Sequence, residues 1–234
     1  MANNPLNFVS ALKRPFADMK TFILGAVLGM IPLVNLAVIG YTMESTKDRN
    51  SLPEWKNFGA LFMKGLSVVL IGILLFAPAG IILVGTLGSV IVSPAISMVM
   101  GGLPAETYDS IIAGTVTDLQ VEDLIAQNYM DFIPLFVNAT PLLIFGVLLG
   151  AVALYIMPAA IMAWLKEDRI GAAFSMKVVE STLNLDYMVN WLIIGYLGGV
   201  VSSVAGWIPF VGTGITMYVS GVFSYTAFAE LLDK

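Results

Sequence analysis

The sequence predicts an all-α, polytopic membrane protein. Three observations carry that expectation. Residues Gly65 through Leu165 contain no Lys or Arg, and every one of the eleven cations lies outside them. Within that run, residues 101 to 131 form a polar stretch whose only charges are six carboxylates, flanked on both sides by apolar segments of more than thirty residues. The chain as a whole is 58% hydrophobic and only 12% charged, too apolar for a water-soluble domain of this length. The pattern reads as membrane, acidic extracytoplasmic cap, membrane. We expect about four spanning helices, a proline-centred N-terminal hairpin or fifth span, interfacial amphipathic helices and a small helical cap. The whole chain, 1–234, forms a single membrane domain with 101–131 inserted as the cap.

Asn4-Pro5 starts the first element as a capping residue followed by Pro at the first helical position. Phe8, Leu12, Phe16 and Met19 recur at helical spacing, with Lys13, Arg14 and Asp18 on other faces. Residues 5–19 are therefore expected as an interfacial helix kinked at Pro15. The apolar segment 21–43 that follows is too long for a signal peptide and ends without a small-residue cleavage pattern.

Segment 21–43 is long enough to span, yet Lys13, Arg14 and Lys20 precede it and Lys47, Arg49, Lys56 and Lys64 follow it. Both ends carry the bias of a cytoplasmic loop. Pro32 at its middle and Asn35 one turn later suit a re-entrant hairpin, with an ordinary proline-kinked span as the alternative. Leu52-Pro53-Glu54-Trp55, then Phe58, Phe62 and Leu66, read as a second interfacial helix over 54–65. Trp55, Lys56 and Lys64 are its candidate anchors.

Residues 65–100 exceed one perpendicular crossing and are divided by Pro78 and Pro94, so a kinked helix or two half-crossings is expected. Residues 132–165, with Pro134, Pro141 and Pro158, pose the same problem. The cap between them reads as two short helices, one opened by Pro104 and closed by Gly114, the other capped over Thr117 to Gln120. Its six acids, Asp118, Glu122 and Asp123 among them, attract cations or merely solubilise a helix face, and no calcium-loop spacing is present. Asn138-Ala139-Thr140 matches a glycosylation sequon that Pro141 and membrane depth make weak.

Lys166, Arg169 and Lys177 mark the return to the cytoplasm, where Ile170, Phe174 and Val178 form the stripe of a third interfacial helix. Residues 187–206 and 210–231 are two crossings joined around Pro209, Gly212 and Gly214. Close helix contact is expected at Gly195 and Gly199 and at Ser202 and Gly206. Two internal similarities stand out. Gly29 to Val34 and Gly206 to Val211 both spell GxIPxV, with Tyr41 and Tyr218 nine positions beyond each proline, and Phe58 to Phe62 is similar to Ile170 to Phe174.

Leu52-Pro53-Glu54-Trp55, then Gly59, Gly65 and Pro78, together with Pro158, Ala172-Ala173-Phe174 and Asp186-Tyr187, resemble an uncharacterised, largely archaeal multi-pass membrane family, domain of unknown function 4013. The resemblance implies a membrane protein and carries over no catalytic residues.

The acidic balance points to no acidic-surface partner. The cap contributes -6, and the remaining eleven cations and ten acids leave the rest of the chain at +1. Without His or Cys there are no disulfides, no thiolate chemistry, no cysteine metal sites and no imidazole, the commonest neutral metal ligand. No ionisable group except tyrosine lies near the centre of a predicted crossing, where a proton-coupled carrier would keep one. We therefore expect no enzyme, no cofactor, no metal and no nucleic acid. The partners expected are membrane lipid, further copies of the chain and a protein partner. The function expected is a homo-oligomer forming a passive path for ions or small solutes, with Asn35 and Asn138 as candidate lining, or an accessory scaffold that grips lipid and a partner. Both termini are expected in the cytoplasm and 101–131 outside.

Overall fold

The computed structural model describes residues 6–48, 51–100, 113, 118–209 and 211–233, with 91–100 and 118–132 as helical backbone. No strand occurs among them. They form two compact units, one made of Met1–Leu75 with Leu154–Lys234 and the other of Phe76–Ala153.

α1 spans Phe8–Lys13, and the Asn7 side chain caps it by accepting from the Ser10 N–H at 3.0 Å. The start expected at Asn4-Pro5 lies outside the described residues. Arg14–Phe16 then tightens into a 3-10 turn with Pro15 near its start, so the expected 5–19 helix is cut short where Pro15 cannot donate. Asp18 opens the next helix, accepting from the Lys20 N–H at 3.0 Å and from the Thr21 hydroxyl at 2.6 Å. The Thr21 hydrogen bond holds the Asp18 carboxyl below its usual range.

α2 (Met19–Gly29) and α3 (Asn35–Glu44) settle the form of segment 21–43. Each reaches only about 15 Å at 1.5 Å per residue, roughly half of a hydrocarbon core about 30 Å thick. Between them Pro32 supplies no N–H, and Leu33 adopts the left-handed region at φ 68° and reverses the chain. The segment is a helical hairpin and not one kinked helix.

α4 runs over Phe58–Met100 as one helix, without a break into half-crossings. The interfacial helix expected over 54–65 is a correction. Residues 51–57 are irregular, Asn57 is left-handed at φ 53°, and residues 58–65 are the first turns of α4 itself. α5 spans Asp118–Glu167. Residues 118–131 are thus continuous with the apolar segment that follows and do not form a separate short helix. No glycine occurs between Asp118 and Phe145 to end the helix, and prolines alone have not broken it. The first cap helix, expected from Pro104 to Gly114, lies outside the described residues apart from Ala113.

A 3-10 turn at Ile170–Phe174 and α6 (Met176–Thr182) replace the expected third interfacial helix, because Ser175 between them is extended at ψ 151°. α7 (Leu185–Gly206) starts at Asn184, whose side chain accepts from the Tyr187 N–H at 2.7 Å. α8 (Val211–Leu232) follows the turn at Pro209. Both GxIPxV motifs therefore do the same work, ending a helix at glycine and turning the chain at proline. The second similarity does not hold, since Phe58–Phe62 is α-helical and Ile170–Phe174 is 3-10.

In the first unit α8 is central. Tyr218, Val219, Val222, Phe223 and Ala227 are buried on it, and α1, α2, α3 and α7 pack against it. Close approach comes from glycines other than those expected. A Cβ at Gly40 would lie 1.8 Å from the Leu61 carbonyl oxygen, one at Gly65 would lie 1.8 Å from that of Leu36, and one at Gly214 would lie 1.9 Å from that of Ala26. Gly195, Gly199 and Gly206 meet nothing within 4 Å and are exposed. In the second unit Ala79, Thr86, Val90, Ala139 and Ala153 are buried, and Gly146 packs under Leu83.

Phe58–Val90, Ile133–Glu167, Leu185–Gly206 and Val211–Leu232 are long and apolar enough to cross a bilayer. Their outer faces expose Ile81, Val84, Val147, Leu192 and Val204. So much exposed apolar surface is stable only against lipid. The protein is an integral membrane protein, with four helices of spanning length among the described residues.

Candidate functional site

The hairpin α2–α3 is held by the irregular segment 51–57 and by Arg14. The Tyr41 hydroxyl donates to the Pro53 carbonyl at 2.8 Å, and the Trp55 ring stacks on Tyr41 with centroids 4.0 Å apart and planes within 10°. From there aromatic contacts continue in both directions. Trp55 meets Phe58 at 6.1 Å, Tyr41 meets Tyr218 at 5.9 Å, Tyr218 meets Phe22 edge-on at 6.0 Å, and Phe22 meets Phe16 at 5.3 Å. Such pairs are worth about 0.5–1.5 kcal/mol each beyond their buried area. The ladder joins α2, α3, α4 and α8 with the Arg14–Phe16 turn and the 51–57 segment, and its two central tyrosines are those placed nine residues after the two GxIPxV prolines.

Arg14, read from the sequence as a polar-face residue, is buried. Its guanidinium donates to the carbonyls of Ser45, Asp48 and Ser51, and to the Thr226 hydroxyl at 3.3 Å. Ser45 is the C-cap of α3, so the cation meets the negative end of that helix and the carbonyls left over there. No sequence signal marks these partners, because three of the four are backbone oxygens. Nearby, Glu44 pairs with Lys64 and, at 3.0 Å, with Lys47. Burial alone would raise the Glu44 carboxyl, but the two lysine hydrogen bonds outweigh it and hold the group below its usual range.

A second aromatic cluster lies at Pro158. The Tyr187 hydroxyl donates to the Tyr155 carbonyl at 2.9 Å, while the Tyr155 hydroxyl donates to that of Thr182 at 2.7 Å. The two rings meet at right angles, 5.2 Å apart, and Trp191 and Phe228 complete the cluster. Pro158 offers no N–H to the preceding turn of α5, and such freed carbonyls need outside donors. The carbonyl four residues before Pro158 is that of Leu154, and Tyr187 donates to the next one along, that of Tyr155.

The residues singled out from the sequence fall as follows. Trp55 is half-buried on Tyr41, and Lys56 is exposed beside Glu54, with which it forms an ion pair. Lys64, half-buried, is the partner of Glu44. Asn35 is the first residue of α3 and half-buried at the hairpin turn. Asn138, in the other unit, is exposed on α5. Asp118, Glu122 and Asp123 lie in the first turns of α5. The structure thus gathers Trp55 and Lys64 around the base of the hairpin.

The motifs noted in the sequence coincide with these clusters. Pro53 and Trp55 close the hairpin, Pro158 and Tyr187 meet, Gly65 touches the α3 backbone, and Ala172 and Ala173 are buried. No curated protein and no solved structure matches the chain. A family model described as protein of unknown function (DUF4013) matches residues 23–211, from within α2 to the first residue of α8, a range that includes Tyr41, Pro53, Trp55, Pro158 and Tyr187. The chain belongs to the DUF4013 family.

Proposed function

We propose that the chain is a non-catalytic integral membrane protein that works as an assembly of its own copies, and that the assembly provides a passive path for ions or small solutes. One observation supports association above all. Gly195, Gly199, Ser203 and Gly206 lie exposed along α7, and a Cβ at any of the three glycines would meet nothing within 4 Å. In lipid no hydrophobic force drives helices together, and small residues at this spacing let two backbones approach. Absence of His and Cys supports the non-catalytic reading. Asn35 and Asn138 are the candidate polar lining, and Asp118, Glu122 and Asp123 would concentrate cations at one mouth.

A Ser203→Cys variant of this cysteine-free chain should cross-link into dimers in the membrane, and Gly199→Leu should reduce the cross-linking. Cation flux into liposomes should fall at low salt when Asp118, Glu122 and Asp123 are neutralised together, and fall less at high salt, where screening shortens to about 3 Å. Monomers at all protein densities would refute the assembly.

The accessory-scaffold reading has its own support in the first unit, whose two buried core clusters are apolar and held together by stacked and edge-on aromatic rings. Well-folded oligomers without flux would favour it.

A further inference from the structure

Where the end of α5, helix α6 and the last residue of α8 meet, the first unit forms a hollow of about 190 Å³. Its polar side carries Lys166, Lys177, Glu167, Ser175 and Ser181, and its apolar side is formed by residues such as Met162 and Val178. The charges around it are unequally engaged. Lys166 lies 2.8 Å from the Asp233 carboxylate and donates to the Leu232 carbonyl at 3.0 Å, while Glu167 pairs with Arg169 at 2.6 Å. Lys177 forms neither hydrogen bond nor salt bridge among the described residues, although its charge reaches Glu167. The Ser181 hydroxyl donates to the Val178 carbonyl at 2.7 Å, which leaves Lys177 and Ser175 as the available donors.

The depth of the hollow defines the ligand. α8 has 22 residues, enough to cross a bilayer with little to spare, and the hollow sits at its final residue, Leu232. That is headgroup level. Beside it Ile170, Phe174 and Met176 are exposed on a segment too short to span, as they are when such a segment lies on the acyl boundary. Drug-sized ligands occupy pockets of about 300–1,000 Å³. A smaller hollow takes one polar head and leaves the rest of the ligand outside.

We propose that this hollow binds the headgroup of an anionic phospholipid, with Lys177 and Ser175 donating to its phosphodiester oxygens and Met162 and Val178 against the glycerol and upper acyl carbons. A free phosphate has the same anionic chemistry but gains nothing from the apolar floor or the exposed apolar flank. The site is independent of association through α7 and requires only that α8 crosses the bilayer.

The test uses the purified full-length chain in maltoside detergent, titrated with short-chain phosphatidylglycerol, short-chain phosphatidylcholine or inorganic phosphate, with thermal stabilisation as the readout. Phosphatidylglycerol should bind more tightly than phosphatidylcholine, and Lys177→Gln should weaken it about fivefold, the effect of one cation at an anionic surface. Lys20→Gln, which removes an exposed ammonium elsewhere, should change nothing. Both variants should melt like the parent chain without lipid. Equal binding of the two lipids, or unaltered binding by Lys177→Gln, would overturn the proposal. Inorganic phosphate that binds as tightly, with the same dependence on Lys177, would also overturn it in favour of a soluble anion.

Discussion

Gly40→Ala should destabilise the protein by about 3 kcal/mol or more, at or beyond the upper end of ordinary overpacking. The added methyl would lie 1.8 Å from the Leu61 carbonyl oxygen and 2.6 Å from its carbon, and both obstacles are backbone of α4. A flexible side chain could swing away, but a helix cannot. The contact is also reciprocal, because Gly65 of α4 holds the same relation to Leu36 of α3. Relief therefore requires the two helices to separate along their shared face, which uncovers Val38 and Leu61, both buried there. Gly65→Ala should behave alike. Gly59→Ala lies on the same helix with nothing within 4 Å, and should be neutral or stabilising by up to about 1 kcal/mol. Thermal melts of the three variants in detergent separate steric cost from helix propensity. Equal stabilities would show that α3 and α4 do not pack through these glycines.

Arg14→Met should cost about 3 kcal/mol, since a single hydrogen bond to a charged group contributes about 1.5–3 kcal/mol and the four here do not add independently. Methionine keeps most of the apolar stem, so the loss is assigned to the guanidinium. The carbonyl of Ser45, a fully buried residue, then loses its donor at the end of α3. Arg14→Lys should recover only part of the stability, because one ammonium with three donors cannot reach four acceptors spread over residues 45–51 and 226. Chemical denaturation gives the size of the effect. Faster proteolysis after residue 45 gives its location. Arg14→Met with parental stability would mean that the hairpin does not need this cation.

Helices α7 and α8 were legible to within two residues because their signals are local: a long apolar run for each, and glycine and proline at the turn between them. The α2–α3 hairpin was legible as one of two forms, since cations at both ends argued against a crossing. The helix expected over 54–65 failed because the spacing of Phe58, Phe62 and Leu66 is the same on an interfacial helix and on the opening turns of a span. Only the left-handed Asn57 marks the true start, and a single Asn carries no such signal alone. Spacing of small residues shows where backbones can approach but not where they do. Gly40, Gly65 and Gly214 owe their contacts to partners far along the chain, while the regular stripe on α7 is bare within one copy. For the site, Leu52 to Trp55 was visible as a motif, but the partner that explains it, Tyr41, was visible only as half of a repeat. Arg14 was hidden entirely, its acceptors lying 31 to 212 residues away.

The membrane arrangement is tested most directly by labelling single cysteines from one side of sealed vesicles of known orientation. From the charge pattern we expect the cation-rich stretches, and hence both ends of the α2–α3 hairpin, in the cytoplasm, with residues 101–131 outside. Ala17→Cys, Lys47→Cys and Lys166→Cys should therefore react only from the cytoplasmic face and Ala113→Cys only from the other. Labelling of Ala17→Cys and Lys47→Cys from opposite faces would contradict the account, because the hairpin would then have crossed the membrane.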